Sequence, residues 1–286
     1  MRTITLEELL EAGAHFGHQV TRQNPKAREY IFEERDGIHI IDLAKTKQGL
    51  DDAAVFVKQL ASKPGATMII LGSKRQAQGI VREEVERAKQ EQADGLYSVT
   101  NRWIGGILTN FTEVSKNFRR LKQLTSDLES KEKRSQFTKK EISLWERERQ
   151  KLLVFYGGIF EMTKLPDAVF IVDTHLEKLA VAEALATRIT TVGITDTNAD
   201  PTLINYPIPA NDDAVGSVKL IVHQIVDAWC EGAQVAKRAN DVKEEVKVVD
   251  ASKEQGAKKE EQKKETKALE IKVAKKKTPV KKGEAK

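Results

Sequence analysis

The chain has 286 residues, 40% hydrophobic and 32% charged, which allows one large domain or one domain with an appendage. No run approaches the ~18 uninterrupted apolar residues of a membrane helix, and the N-terminal MRTITLEELLEAG lacks the basic and long apolar regions of a secretory signal, so a cytoplasmic protein without membrane contact is expected. Cys230 is the sole cysteine, which excludes an intramolecular disulfide and a multi-cysteine zinc site.

The net charge of +5 is unevenly spread. Residues 241–286 hold 15 Lys and 10 Asp or Glu, leaving 33 Lys and Arg against 33 Asp and Glu in residues 1–240. A folded part of zero net charge binds nucleic acid, if at all, through local cationic patches. Residues 1–240 are therefore read as an α/β domain. Residues 241–286 lack aromatics, are biased to Lys, Glu and Ala, and are read as a disordered tail.

In chain order, a strand is predicted around Ile38–Ile41 after the Asp36-Gly37 turn, then a helix with Leu50, Ala54, Val57 and Leu60 on its apolar face. Thr67–Leu71, Ala168–Val172 and Thr190–Ile194 are short, nearly continuous apolar runs, as in parallel strands covered on both faces; Leu96–Val99 is a further strand. Helices follow at Gln76–Gln92 and Leu176–Thr187, the second with Leu179, Ala182, Leu185 and Ala186 as its expected apolar face, and at Asp213–Ala236. Strand–helix–strand repeats of this kind make a layered α/β fold. Between about Thr109 and Phe155 the rhythm changes. Val114, Phe118, Leu121 and Leu128, then Ile142, Trp145 and Leu152, form two narrow stripes, and Thr138 with Glu141 is a capping-box pattern. The pattern predicts an antiparallel helical hairpin, a short coiled coil about 30 Å long at 1.5 Å per residue; two ordinary surface helices are the alternative.

Candidate sites fall mostly on loops. Gly72-Ser73-Lys74-Arg75 joins a strand to a helix, and a helix N-terminus with two cations suits a phosphate, although the glycine spacing of a nucleotide loop is absent. Asp173-Thr174-His175 and Asp196-Thr197-Asn198 end two strands, where α/β sheets place ligands, yet no nucleophile motif accompanies them and Asp and Asn are common caps. His15 and His18 have no further metal ligands nearby in sequence. Tyr30 and Phe32 are core anchors or stacking groups. The cationic clusters are Arg22, Lys26 and Arg28 around Asn24-Pro25; Lys74 and Arg75; Arg102; and Lys116, Arg119, Arg120 and Lys122. Separate clusters on loops and an arm suit the spread phosphates of a folded RNA, and solvated charged faces are the bland alternative. No catalytic, metal or cofactor-binding residue is assigned, and a nucleotide-binding α/β enzyme using Gly72–Arg75 is the competing function.

Five ordered segments carry a resemblance. They are Leu9 to His18 with Asn24-Pro25-Lys26 and Tyr30-Ile31-Phe32; Asn101 to Phe111 (NRWIGGILTNF); Leu165-Pro166-Asp167; Asp196-Thr197-Asn198 through Asp200-Pro201; and Tyr206 to Pro209 with Asn211 to Ala214. Spanning residues 3–235, they resemble the bacterial form of the small-subunit ribosomal protein family numbered two. The resemblance implies a flavodoxin-like parallel sheet flanked by helices, with an inserted coiled-coil hairpin. It implies binding to small-subunit ribosomal RNA near the head–body junction, and contact with neighbouring ribosomal proteins including the large mRNA-binding one. Two departures stand out. Ala199 replaces a frequent Cys, and Thr187-Arg188-Ile189-Thr190 replaces the usual Leu-Gly-Ile-Pro.

Overall fold

A computed structural model describes residues 2–130 and 137–238. After a short helix α1 (Leu6–Glu11), the chain forms β1 (Phe16–Gln19), β2 (Ile31–Arg35) and β3 (Ile38–Ile41). These make a small antiparallel sheet in the order β1-β3-β2. The β2–β3 turn is Asp36-Gly37, both with positive φ (52° and 74°), the turn geometry that matches strand twist. Next come α2 (Leu43–Ala61), β4 (Met68–Leu71), α3 (Arg75–Gln90), β5 (Leu96–Val99), α4 (Phe111–Glu129), α5 (Lys139–Tyr156), β6 (Ala168–Ile171), α6 (Lys178–Thr187), β7 (Thr190–Thr195) and β8 (Tyr206–Pro209). A last helix, α7, runs over 215–238.

The main sheet is parallel throughout, in the order β5-β4-β6-β7-β8. Numbering its own strands from β4 gives 2-1-3-4-5, the flavodoxin-like arrangement, whose order reverses between β4 and β6. Both sheet faces are covered, which is why its strands are uniformly apolar. The two-residue period divides β4 between two cores. Met68 and Ile70 pack with α2, α3 and α7, among them Val57, Val81 and Trp229. Ile69 and Leu71 pack with Trp103, Ile107, Phe118, Tyr156 and α6.

The predicted capping box at Thr138 is present, Thr138 and Glu141 exchanging hydrogen bonds. The helices α4 and α5 are antiparallel neighbours: Asn117 donates to Tyr156 at 3.3 Å, the Phe118 and Tyr156 rings meet at 5.6 Å, and Arg120 forms two 2.8 Å bonds with Glu148. Val114, Phe118, Leu121 and Leu128 are buried as their spacing predicts, with Leu124 beside them, whereas Ile142, Trp145 and Leu152 are only half-buried. The expected tail over 241–286 lies outside the described residues.

Two expectations change. The side of α6 turned inward carries Ala180, Val181, Glu183 and Ala184, while Leu179, Ala182, Leu185 and Ala186 are exposed. This helix is apolar nearly all round, so spacing alone did not fix its face. Its small residues pack closely on the sheet, and Glu183 faces inward to meet a cluster of donors described below. Phe32 is 71% exposed, so it is not a core anchor.

Glycine marks where the segment after α5 returns to the sheet. A Cβ on Gly158 would stand 2.0 Å from the Ser98 carbonyl oxygen, whereas one on Gly79, inside α3, meets nothing within 4 Å. We expect Gly158→Ala to cost about 1–3 kcal/mol through forced displacement and Gly79→Ala to stabilise by about 0.4–1 kcal/mol. Urea unfolding midpoints test the pair, and a Gly158→Ala protein as stable as the parent would contradict the packing described.

Candidate functional site

The carboxyl ends of the parallel strands converge on one charged cluster. The chain leaving β4 supplies Lys74, that leaving β6 supplies Asp173, the end of β7 gives Asp196, and the loop after β8 gives Asp212 and Asp213. Lys74 Nζ lies 2.8 Å from Asp173, 2.7 Å from Asp212 and 2.8 Å from Asp213. Burial alone lowers an ammonium pKa; the Asp212 charge and the hydrogen bonds to all three carboxylates outweigh it and hold Lys74 above its usual value. Burial, reinforced by Asp173 and Asp196, pushes Asp212 up to about 7 against the pull of Lys74. Asp213, although partly buried, is held below the usual carboxylate range by Lys74, His18 and Arg22.

His18 joins the cluster from the small sheet. Its Nδ1 lies 3.0 Å from Asp196, its Nε2 3.6 Å from Asp213, and its backbone N–H donates to Thr197 at 2.9 Å. The preceding Gly17 permits this approach, since a Cβ there would stand 2.7 Å from the Thr197 methyl. The hydrogen bond to Asp196 raises the His18 pKa despite burial. One ligand atom each from His18, Asp196 and Asp212 lie within 4.8 Å of one another, and Asp212 Oδ2 is buried with no hydrogen-bond partner. That donor set fits a divalent cation. Sequence inspection found no ligands for His18 because they lie almost 200 residues away. His15 stays out of the set, half-buried beside Phe16 with its pKa lowered by burial. Asp173, as its cap reading anticipated, also accepts from the Leu176 N–H at 2.7 Å, and the exposed His175 ring meets the Asn198 carbonyl at 3.0 Å.

A second constellation organises the Asn101–Phe111 motif. The Glu183 carboxylate accepts from Trp103 Nε1 at 3.1 Å, the backbone N–H groups of Gly106 (2.8 Å), Leu108 (3.1 Å) and Thr109 (3.2 Å), and the Thr109 hydroxyl (3.2 Å). Burial raises the Glu183 pKa, but these donors outweigh it and keep it below its ordinary value. The loop leading into α4 is thus wrapped around one buried anion. Glu183 was missed, although a lone acid within LAVAEALA was a usable signal.

The expected cationic positions divide. Lys74 is committed to three carboxylates, and Ser73 donates to Glu177, so this turn offers a phosphate acids as neighbours. Arg22 lines the same cleft, of about 590 Å³, with His18, Lys74 and His175. Lys26 pairs with Asp200 at 2.7 Å and Lys116 with Glu113 at 2.7 Å, both on the surface. Arg120 is half-buried on Glu148, and Lys122 lies 5.9 Å from the Phe160 ring centre. Arg28, Arg75, Arg102 and Arg119 are exposed and form no ion pair among the described residues.

Removing Lys74 leaves like charges together, so Lys74→Met should destabilise the protein at pH 8 by about 3–5 kcal/mol. A carboxyl whose folded pKa is raised stabilises below its unfolded pKa and loses that contribution as pH rises through its folded value, here about 7 for Asp212. The Lys74→Met penalty should therefore shrink from pH 8 to pH 5, and a penalty independent of pH would disprove the account. Glu183 has the opposite sign. Its contribution is present above the ordinary glutamate pKa and fades as pH falls through its lowered folded value, so Glu183→Gln should cost stability at pH 7 and progressively less under acid, measured by urea titration.

The family described as Ribosomal protein S2 matches residues 9–232, which include the cluster at the strand ends, the Glu183 loop and helices α4 and α5. With the flavodoxin-like strand order beneath it, this match covers most of the chain, and the protein belongs to the ribosomal protein S2 family, a component of the small ribosomal subunit in translation.

Proposed function

We propose that the chain is a structural, non-catalytic part of the small subunit that binds ribosomal RNA through phosphate contacts. The carrying observation is that Arg28, Arg75, Arg102 and Arg119 are exposed and unpaired among the described residues, on four different elements of a region with no net charge. Surface pairs such as Lys26–Asp200 and Lys116–Glu113 exchange partners at little cost, so those lysines can still reach phosphate. The α4–α5 pair is proposed to form a projecting coiled-coil arm with Arg119 and Lys122 on its outer side. From the family resemblance we infer a seat near the head–body junction, contact with neighbouring proteins including the large mRNA-binding one, and a cytoplasmic location. No helix among the described residues is long and apolar enough to cross a membrane. A nucleotide-using enzyme is disfavoured by the commitment of Lys74 and Ser73 to acids at the one phosphate-ready turn.

The test is a salt titration of binding to small subunits stripped of this protein. Arg119→Ala should lower affinity and flatten the salt slope by about one unit, one released phosphate contact. Arg120→Ala should act chiefly on the arm, lowering its unfolding midpoint through the lost Glu148 pair. Unchanged affinity and slope for Arg28→Ala, Arg75→Ala, Arg102→Ala and Arg119→Ala would remove RNA from this reading.

A further inference from the structure

The face of α6 turned away from the core is apolar. Leu179 and Leu185 are 53% and 47% exposed, and Ala182 and Ala186 are exposed between them. At about 100° per residue these four span an arc of roughly 120°. Small residues at its centre and leucines at its margins make a shallow trough. At the Leu185 margin the trough opens into a cleft of about 230 Å³ with Val181, Ala182, Leu185, Leu203 and Ile204 on its apolar side and polar groups including Lys178 on the other, room for one or two apolar side chains. Such a surface on a water-soluble helix marks a place that another molecule covers.

The charges around it select the occupant. Glu177 and Glu183 are buried and bonded inward, and Asp200 is paired with Lys26. Lys178, on the arc, and Arg188, at its end, are exposed and have no ion pair among the described residues. Arg188 holds the left-handed cap of α6 with φ 58°, a position where glycine is less strained, so the helix cap itself gains nothing from an arginine there. A cationic rim repels a second copy of the same face, and a leucine–alanine floor offers no donors to RNA phosphates. We propose that this face docks an amphipathic helix of a neighbouring protein, whose apolar side enters the trough and whose flanking Asp or Glu residues meet Lys178 and Arg188. The inference rests on the ribosomal reading above.

The experiment uses the full chain, assembled into small subunits, with the photoreactive substitution Leu185→benzoylphenylalanine and separately Leu179→benzoylphenylalanine. After irradiation the cross-linked partner peptide is identified by mass spectrometry. The expected product is one protein segment with apolar residues at helical spacing and acids beside them. Its yield should drop by about tenfold or more in the Lys178→Glu, Arg188→Glu double variant, as for loss of central interface charges. Cross-links to RNA, to another copy of this chain or to a segment without acids, or no cross-link in particles that contain the chain, would overturn the proposal. Absence of the chain from the particles would instead defeat the ribosomal reading, and this inference with it.

Discussion

The ammonium of Lys74 stands where the main sheet reverses its strand order, and much of the molecule is arranged around it. Its three carboxylates come from the end of β6 and from the loop after β8, while the lysine itself follows β4. Each bond therefore joins different strand ends. His18 extends the same network to the small antiparallel sheet through Asp196, an attachment that depends on Gly17 lying against Thr197. In many sheets of this topology the reversal point is a crevice for an anionic ligand. Here it holds one lysine and one histidine among four aspartates, so a phosphate meets repulsion and a cation is favoured. The architecture of a nucleotide site is retained with its charge inverted, which is a physical reason why fold alone is a poor guide to chemistry.

Glu183, on α6, does for the loop after β5 what Lys74 does for the strand ends. Its carboxylate gathers the donors of residues 103–109, a stretch of non-helical backbone whose N–H groups have few other partners. That stretch leads directly into α4. The α4–α5 pair is thus anchored at the start of α4 by an anion fixed on α6 and after α5 by Gly158 pressed against Ser98 at the edge strand. The inward demand of Glu183 is also what turns the leucines of α6 outward. Stability of the loop and exposure of the apolar face are two consequences of one helix orientation.

The parallel strands, the order of helices between them and the capping box at Thr138 were legible because each depends on residues close in sequence. Met68–Leu71 is apolar without alternation, and both of its faces are indeed covered. The orientation of α6 was not legible, because KLAVAEALAT offers two apolar faces and the choice is made by donors some 75 residues earlier. The partners of His18 and Lys74 were hidden for the same reason: Asp196, Asp212 and Asp213 come from distant strand ends and meet only in the fold. The basic positions themselves could be read from the sequence, but pairing, which separates Lys74 and Arg120 from Arg28 and Arg119, is a tertiary property.

That separation matters for the proposed binding of RNA by a region without net charge. Equal numbers of acids and bases in residues 1–240 give no uniform attraction, yet the acids are spent unevenly. Asp173, Asp196, Asp212, Glu177 and Glu183 are all buried, and each has at least one inward lysine, histidine, hydroxyl or amide partner. Carboxylates taken into the interior no longer balance charge at the surface, while most of the candidate arginines remain outside. Burial of the acids thus creates local positive excess on loops and on α4 without any excess of basic residues. The same partition leaves Lys178 and Arg188 without an ion pair among the described residues beside the apolar face of α6, so one distribution of buried anions underlies both proposed contacts: phosphate where arginines stand on polar loops, and acid-flanked protein where cations border leucines.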